Sequence, residues 1–126
     1  MLVSGCGFTD EEEIKRVRSP DGVVDAVVVL VGGPATVSFS HNVHVVPRGQ
    51  SWRRGHQILT ADRVDNLRVA WRDTRKLELC FDNARVFHFS NFWHASEVEN
   101  FAYVVDIRLV EPATACAPAS PLMIMP

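Results

Sequence analysis

A regular alternation of apolar and polar side chains constrains the fold of this chain more than any other feature. In ATVSFSHNVHVVP, residues 35–47, Val43 and Val45 point to one face, and Asn42 and His44 point to the other. This period of two is typical of a strand with one buried face. Valine, whose branched side chain favours pleated structure over helix, accounts for 19 of the 126 residues. The pattern predicts a mainly β protein.

Other strand-length segments follow one another with short turns between them. The turn SPDG at 19–22 precedes VVDAVVVLV, an apolar run of strand length. Later segments that read as strands are NLRVAWR, KLELCF, RVFHFSNFW and NFAYVVDIRLV. Short turns, with no helix long enough to cross a sheet, predict antiparallel pairing. We therefore expect an antiparallel meander of six or seven strands, arranged as a small sandwich or a curled sheet.

The two ends of the chain read differently from this body. In TDEEEIKRVR, residues 9–18, Thr9 and Glu12 have the spacing of a capping box, which predicts a short helix; a charged, mobile leader is the alternative. The tail EPATACAPASPLMIMP holds four of the seven prolines. We predict three regions: a truncated signal remnant and tether at 1–18, a single β domain at 19–111 and a flexible tail at 112–126.

Charge and motifs exclude several classes of function. The net charge of −2 gives no reason to expect a nucleic-acid partner, and no apolar run approaches the ~18 residues that span a bilayer. The chain lacks a Gly-rich phosphate loop with its lysine, a Gly-x-Ser-x-Gly elbow, a His-Glu-x-x-His motif and paired Cys-x-x-Cys motifs. We therefore predict no enzymatic activity, no catalytic residues and no cofactor.

The histidines do not form a recognisable metal motif. His41 and His44 lie three apart on one predicted strand, so they project to opposite faces. His88 and His94 follow Cys80 in sequence, but their spacing matches no established ligand pattern. We predict no metal site.

One loop concentrates the residue types that bind phosphates, carboxylates or flat rings. PRGQSWRRGH, residues 47–56, combines a tryptophan with three arginines and a histidine. A solvated loop with one aromatic side chain packed over a sheet edge is the alternative. If the protein has a patch that binds a ligand or a protein partner, we expect it in this loop, at Arg48, Trp52, Arg53, Arg54 and His56.

The four residues VSGC at 3–6 resemble a bacterial lipobox, which has an aliphatic residue, two small residues and then a cysteine. In bacterial lipoproteins, signal peptidase cuts before that cysteine and its thiol receives a diacylglycerol. The basic and apolar regions of such a signal do not precede Cys6 here, so we interpret 1–5 as the remnant of a truncated signal. The resemblance implies lipid attachment at Cys6 and contact with a membrane only through that anchor.

Cysteine counting leads to a second expectation. If Cys6 is lipidated, Cys80 and Cys116 remain as an even pair, compatible with a disulfide in an oxidising compartment. Three free thiols in a cytosolic protein is the alternative. Alternation places Cys80 on the face opposite Leu79, so we expect its sulfur to be reachable from solvent.

A looser resemblance covers residues 19–79. SPDG leading into an apolar strand, followed by VAWRDTRKLEL, is similar to small bacterial lipoprotein domains of unknown function and to single blades of β-propellers. The propeller comparison implies only local hairpin geometry and brings no functional residues with it.

Together these features predict a non-enzymatic binding or scaffolding lipoprotein on the periplasmic side of the bacterial cell envelope. The alternative is a cytoplasmic interaction module, such as a phage or mobile-element inhibitor or an immunity protein. Such a module would offer an exposed strand edge or the basic loop to its partner.

Overall fold

The computed structural model describes residues 10–32 and 39–116. Nine strands form within these residues: β1 (Asp10–Arg18), β2 (Val24–Gly32), β3 (Ser40–Pro47), β4 (Gln57–Asp65), β5 (Arg68–Asp73), β6 (Lys76–Cys80), β7 (Asn83–Phe89), β8 (Phe92–Trp93) and β9 (Val105–Val110). Three short 3-10 helices accompany them: Trp52–Arg54, Glu99–Phe101 and Ala113–Cys116. The mainly β fold predicted from alternation is confirmed, with more strands than the six or seven expected.

The strands form two sheets. The first sheet has five strands in the order β1-β2-β3-β4-β7, and all its neighbours are antiparallel. The second sheet has four strands in the order β5-β6-β9-β8. The chain therefore forms a four-strand meander, places β5 and β6 in the second sheet, and returns to the first sheet for β7.

One hydrophobic core joins the inner faces of both sheets. Val28, Val43 and Leu59 contribute from the first sheet, and Leu79 and Ile107 contribute from the second. Each of these side chains is at most 3% exposed. Alternation determines this arrangement: Val24, Ala26 and Val28 face the core, whereas Asp25 and Val27 between them face the opposite side of the first sheet.

The segment predicted as a helix or leader is the edge strand β1. It pairs along its length with β2, from Asp10 opposite Gly32 to Arg18 opposite Asp25. The register shifts between Glu13 and Lys15, which leaves Ile14 as an extra residue and interrupts the alternation. Backbone hydrogen bonds to a valine-rich neighbour outweigh the local helix signals of a short segment. The folded domain therefore includes Asp10–Arg18, and the predicted tether does not extend to residue 18.

Asp25 joins strand β1 to the loop that follows β3. Its carboxylate is fully buried and accepts hydrogen bonds from Arg16 Nη1, Arg18 Nε and the Gly49 N–H at 2.9, 2.9 and 3.0 Å. Burial alone would raise the pKa of this carboxyl, but hydrogen bonds from Arg18, Gly49 and Arg16 outweigh burial and hold the pKa below its ordinary value.

One strand pair differs from the antiparallel expectation. β6 and β9 are parallel, with Leu77 opposite Ile107 and Leu79 opposite Leu109. Parallel neighbours need a long connection, which is usually a helix. Here residues 81–104 supply it by passing through β7 in the other sheet and then β8.

The predicted flexible tail is partly ordered. Residues 113–116 form a 3-10 helix, in which Ala113 is 1% exposed and its N–H donates to Asp82 Oδ1 at 2.9 Å. Arg72 Nη2 donates to the Ala115 carbonyl at 2.7 Å. These contacts place the start of the tail against the second sheet; residues 117–126 lie outside the described residues.

Candidate functional site

The outer face of the first sheet carries a cleft of about 740 Å³, which we call the Trp52 cleft. Its floor is formed by β3 and the loop that follows β3, and its far wall includes the end of β7. The lining side chains that bear on its chemistry are Glu11, His44, Trp52, Arg53, His56 and His88.

The loop after β3 folds back because its local sequence closes a tight turn. Ser51 caps the short helix, since its side chain accepts a hydrogen bond from the Arg53 N–H at 3.2 Å. Gly49 adopts a φ of +78°, a conformation that glycine takes without strain. A Cβ at Gly55 would lie 2.9 Å from Val46 Cγ1, so glycine allows the loop to approach the sheet.

Trp52 covers a second, smaller apolar cluster. Its side chain is 8% exposed and packs with Val27, Val29 and Val46 on the outer face of the first sheet. The guanidinium carbon of Arg53 lies 4.4 Å from the centroid of the Trp52 ring, a cation–π contact. The loop is therefore anchored by apolar packing of Trp52, and the Arg53 guanidinium lies over the Trp52 ring.

His44 forms the polar part of the floor. Its ring is 5.3 Å from the Trp52 ring, and its Nδ1 lies 3.3 Å from the Gly55 carbonyl oxygen. Burial lowers the pKa of His44 below the ordinary 6.5, against opposing effects of the Gly55 carbonyl and Glu11. The ring is therefore neutral near pH 7. Because a carbonyl only accepts, Nδ1 carries the proton and Nε2 presents a lone pair.

Two buried acceptors on this face are unsatisfied. His44 is 4% exposed and Asn42, two residues earlier on the same face of β3, is 8% exposed. Neither His44 Nε2 nor Asn42 Oδ1 has a hydrogen-bond partner among the described residues. Buried acceptors without partners are rare in native proteins, and each one calls for a donor such as a water molecule or a bound group.

The rim of the cleft has a different chemistry. Arg53 and His56 are exposed and can donate hydrogen bonds to an anion. His88 Nε2 donates to the Gln57 carbonyl at 3.2 Å, which fixes that ring across the cleft. Glu11 supplies an acidic group at the opposite wall. The arrangement offers an acceptor, His44 Nε2, in the floor and hydrogen-bond donors at the rim.

The structure brings together three of the five predicted loop residues. Trp52, Arg53 and His56 line the cleft. Arg48 lies instead at the turn before β2, where its N–H donates to the Val23 carbonyl at 3.0 Å. Arg54 lines a separate cavity of about 40 Å³ with Trp93.

Sequence reasoning missed the contributions of β3 and β7. Alternation had placed Asn42 and His44 on the face opposite the core, which was the available signal. It could not indicate that the loop would fold back over that face. The presence of His88 at the cleft could not be predicted from the sequence, because only the strand order brings β7 beside β4.

Cys80 and Cys116 form a disulfide with their Cα atoms 5.7 Å apart. Cys80 is fully buried and Cys116 is 3% exposed. The expectation that Cys80 is reachable is wrong, because the Ala113–Cys116 helix covers that face of β6. Cys6, the predicted lipid attachment site, lies outside the described residues.

No helix in the described part of the chain is long and apolar enough to cross a membrane. No protein-family model, curated protein sequence or solved structure matches this chain.

Proposed function

We propose that this protein is a non-enzymatic binding module that holds an acidic segment of a protein partner in the Trp52 cleft. His44 Nε2, the unsatisfied acceptor of a side chain that lines the cleft, carries this proposal. Backbone N–H groups of a peptide are suitable donors to such an acceptor. Aspartate or glutamate side chains of the same peptide would pair with Arg53 and His56 at the rim.

An exposed sheet edge beside the cleft supports a protein rather than a small molecule as ligand. β7 pairs only with β4 among the described strands, so its other edge offers unpaired backbone groups. Phe87 and Val86 on this strand are 59% and 39% exposed. An extended peptide that leaves the cleft past His88 could add to this edge and cover both side chains.

Charge reversal at the rim is expected to abolish partner capture. A photo-crosslinking amino acid at Gln57, an exposed residue of the cleft lining, should capture a partner protein in the native host. Introducing Arg53→Glu should reduce the yield at least about tenfold, because it opposes an acidic segment with a like charge. Both positions are exposed, so the fold is retained. Quantitative mass spectrometry of the crosslinked species measures the effect.

Arg68→Glu is the matched control, since it makes the same charge change at an exposed position on β5 in the second sheet. It should leave the yield unchanged. Equal losses in both variants would mean that overall charge, rather than the cleft, determines capture, and would contradict the proposal.

The proposed location is the periplasmic side of the bacterial cell envelope, with Cys6 as the lipid anchor. The lipobox-like VSGC at 3–6 supports this location. A buried disulfide, which persists in oxidising compartments, also supports it.

Lipidation predicts a specific modification. Protein extracted with detergent from the native host should carry the mass of a diacylglycerol on Cys6, and the Cys6→Ser variant should lack it. Intact-mass spectrometry of both forms checks this. An unmodified Cys6 in the native host would contradict the anchor but leave the cleft proposal standing, with the cytoplasmic interaction module as the remaining candidate.

A further inference from the structure

A group of three potential metal ligands lies on the outer face of the second sheet, opposite the Trp52 cleft. Glu78 and Cys80 are two residues apart on β6, so they share a face, and the Ala113–Cys116 helix brings Cys116 over them. One carboxylate oxygen of Glu78 and the two sulfurs all lie within 4.8 Å of one another. Cys116 Sγ is 4.0 Å from Glu78 Oε1.

The group is buried and anchored by contacts other than the disulfide. Glu78 is 9% exposed, and the two cysteines are less exposed. Arg72 donates through Nε to Glu78 Oε1 at 2.6 Å and through Nη2 to the Ala115 carbonyl at 2.7 Å. Ala113 is held separately by its hydrogen bond to Asp82. These contacts keep Cys116 beside Cys80 after the covalent bond is removed.

We propose that Cys80, Cys116 and Glu78 form a zinc site when the disulfide is reduced. A dithiol reductant transfers two electrons and two protons to the bridge, which yields two thiols and the oxidised reductant. Zn²⁺ then displaces one proton from each thiol and binds two thiolates and the carboxylate. The oxidised form has no thiolates to offer, so the disulfide closes the site to metal.

The charged groups around Glu78 and the two cysteines suit Zn²⁺. Two thiolates and a carboxylate around Zn²⁺ leave one net negative charge, which Arg72 and the Arg108 guanidinium, 3.5 Å from Glu78 Oε2, offset. Zinc prefers four ligands, and soft sulfur donors select it over magnesium or calcium. A cavity of about 350 Å³, lined by Glu78 and both arginines, adjoins the group at the Glu78 carboxylate.

Cobalt substitution tests the site. Protein carrying Cys6→Ser, which leaves Cys80 and Cys116 as its only cysteines, is reduced with a dithiol, freed of reductant without oxygen, and titrated with Co²⁺. We expect a thiolate-to-cobalt charge-transfer band that saturates at one equivalent and disappears on addition of Zn²⁺. The same protein reoxidised to the disulfide should give no band. This comparison uses one sequence, so it does not depend on a variant folding.

Variants then assign the ligands. Cys116→Ser should lower the intensity of the charge-transfer band by at least about half, because one of the two thiolates is lost. Glu78→Gln should weaken Zn²⁺ binding on the order of 10–100-fold or more, whereas Glu12→Gln, an exposed change on β1, should not alter it. The proposal is overturned by a reduced protein without the band, by a band of undiminished intensity in Cys116→Ser, or by unchanged affinity in Glu78→Gln. A reduced protein that unfolds and is not refolded by Zn²⁺ also overturns it.

Discussion

Asp25→Ala is expected to lower the free energy of unfolding by about 3 kcal/mol, because removing one partner of a buried ion pair leaves the others unsatisfied. The carboxylate is fully buried and joins Arg16 and Arg18 of β1 to the Gly49 N–H of the loop that carries Trp52. Half of the Arg18 side chain is exposed, and solvent screening of that pair keeps the cost at the lower end of the range for buried pairs. Urea denaturation at pH 7 measures it.

Glu13→Ala is the control for Asp25→Ala. Glu13 also pairs with Arg16, at 2.8 Å, but it is exposed, so its loss should cost less than about 1 kcal/mol. Equal, small costs for the two variants would mean that Asp25 does not hold β1 on the sheet.

The contribution of Asp25 should also depend on pH in a defined direction. Its folded pKa is lower than the ordinary 3.8, so the unfolded carboxylate takes up a proton first as the pH falls. The stabilisation is therefore complete above about pH 5 and decreases as the pH falls below 3.8 through the folded pKa. The stability difference between wild type and Asp25→Ala should be constant from pH 5 to 8 and narrow below pH 4. A difference that widens in acid would contradict this assignment.

Removing the disulfide is expected to lower the free energy of unfolding by roughly 3–4 kcal/mol. The bridge closes a loop between residues 36 positions apart, and a crosslink of that span removes substantial entropy from the unfolded chain. The double variant Cys80→Ala/Cys116→Ala measured against oxidised wild type, both with a chelator present to exclude zinc, gives the value.

Wild-type protein under reducing conditions, again with a chelator present, provides the second measurement for the disulfide, because it breaks the bridge without removing either sulfur atom. It should show most of the same loss. The bridge itself is checked by intact mass without reductant, which should rise by two hydrogens on reduction. No mass change on reduction, or full stability without the bond, would contradict a structural disulfide.

Much of the fold followed from the sequence because one face of each sheet packs on the core. The alternation around Val43 and Val45 predicted β3 and the face it buries, and both valines are fully buried. A chain in which apolar residues repeat every second position has few other ways to bury them.

The segment around Ile14 shows where local patterns failed. Acidic residues followed by basic ones have the charge order of a helix, and the bulge at Ile14 obscures the strand period. Pairing with β2 decided the outcome. The prediction of antiparallel pairing failed at β6 and β9 for a related reason. Their parallel alignment depends on the path of β7 and β8 through space rather than on residues within either strand.

Residue type and alternation alone determined that this protein is mainly β, that Trp52 and its basic neighbours share one loop, and that Asn42 and His44 face away from the core. These properties follow from side-chain chemistry and from a period of two, which are local. Only the tertiary structure decided that the loop folds over His44, that His88 joins the same cleft, and that Glu78 lies beside both cysteines. Each of these contacts joins residues distant in sequence, and strand order, register and loop path bring them together.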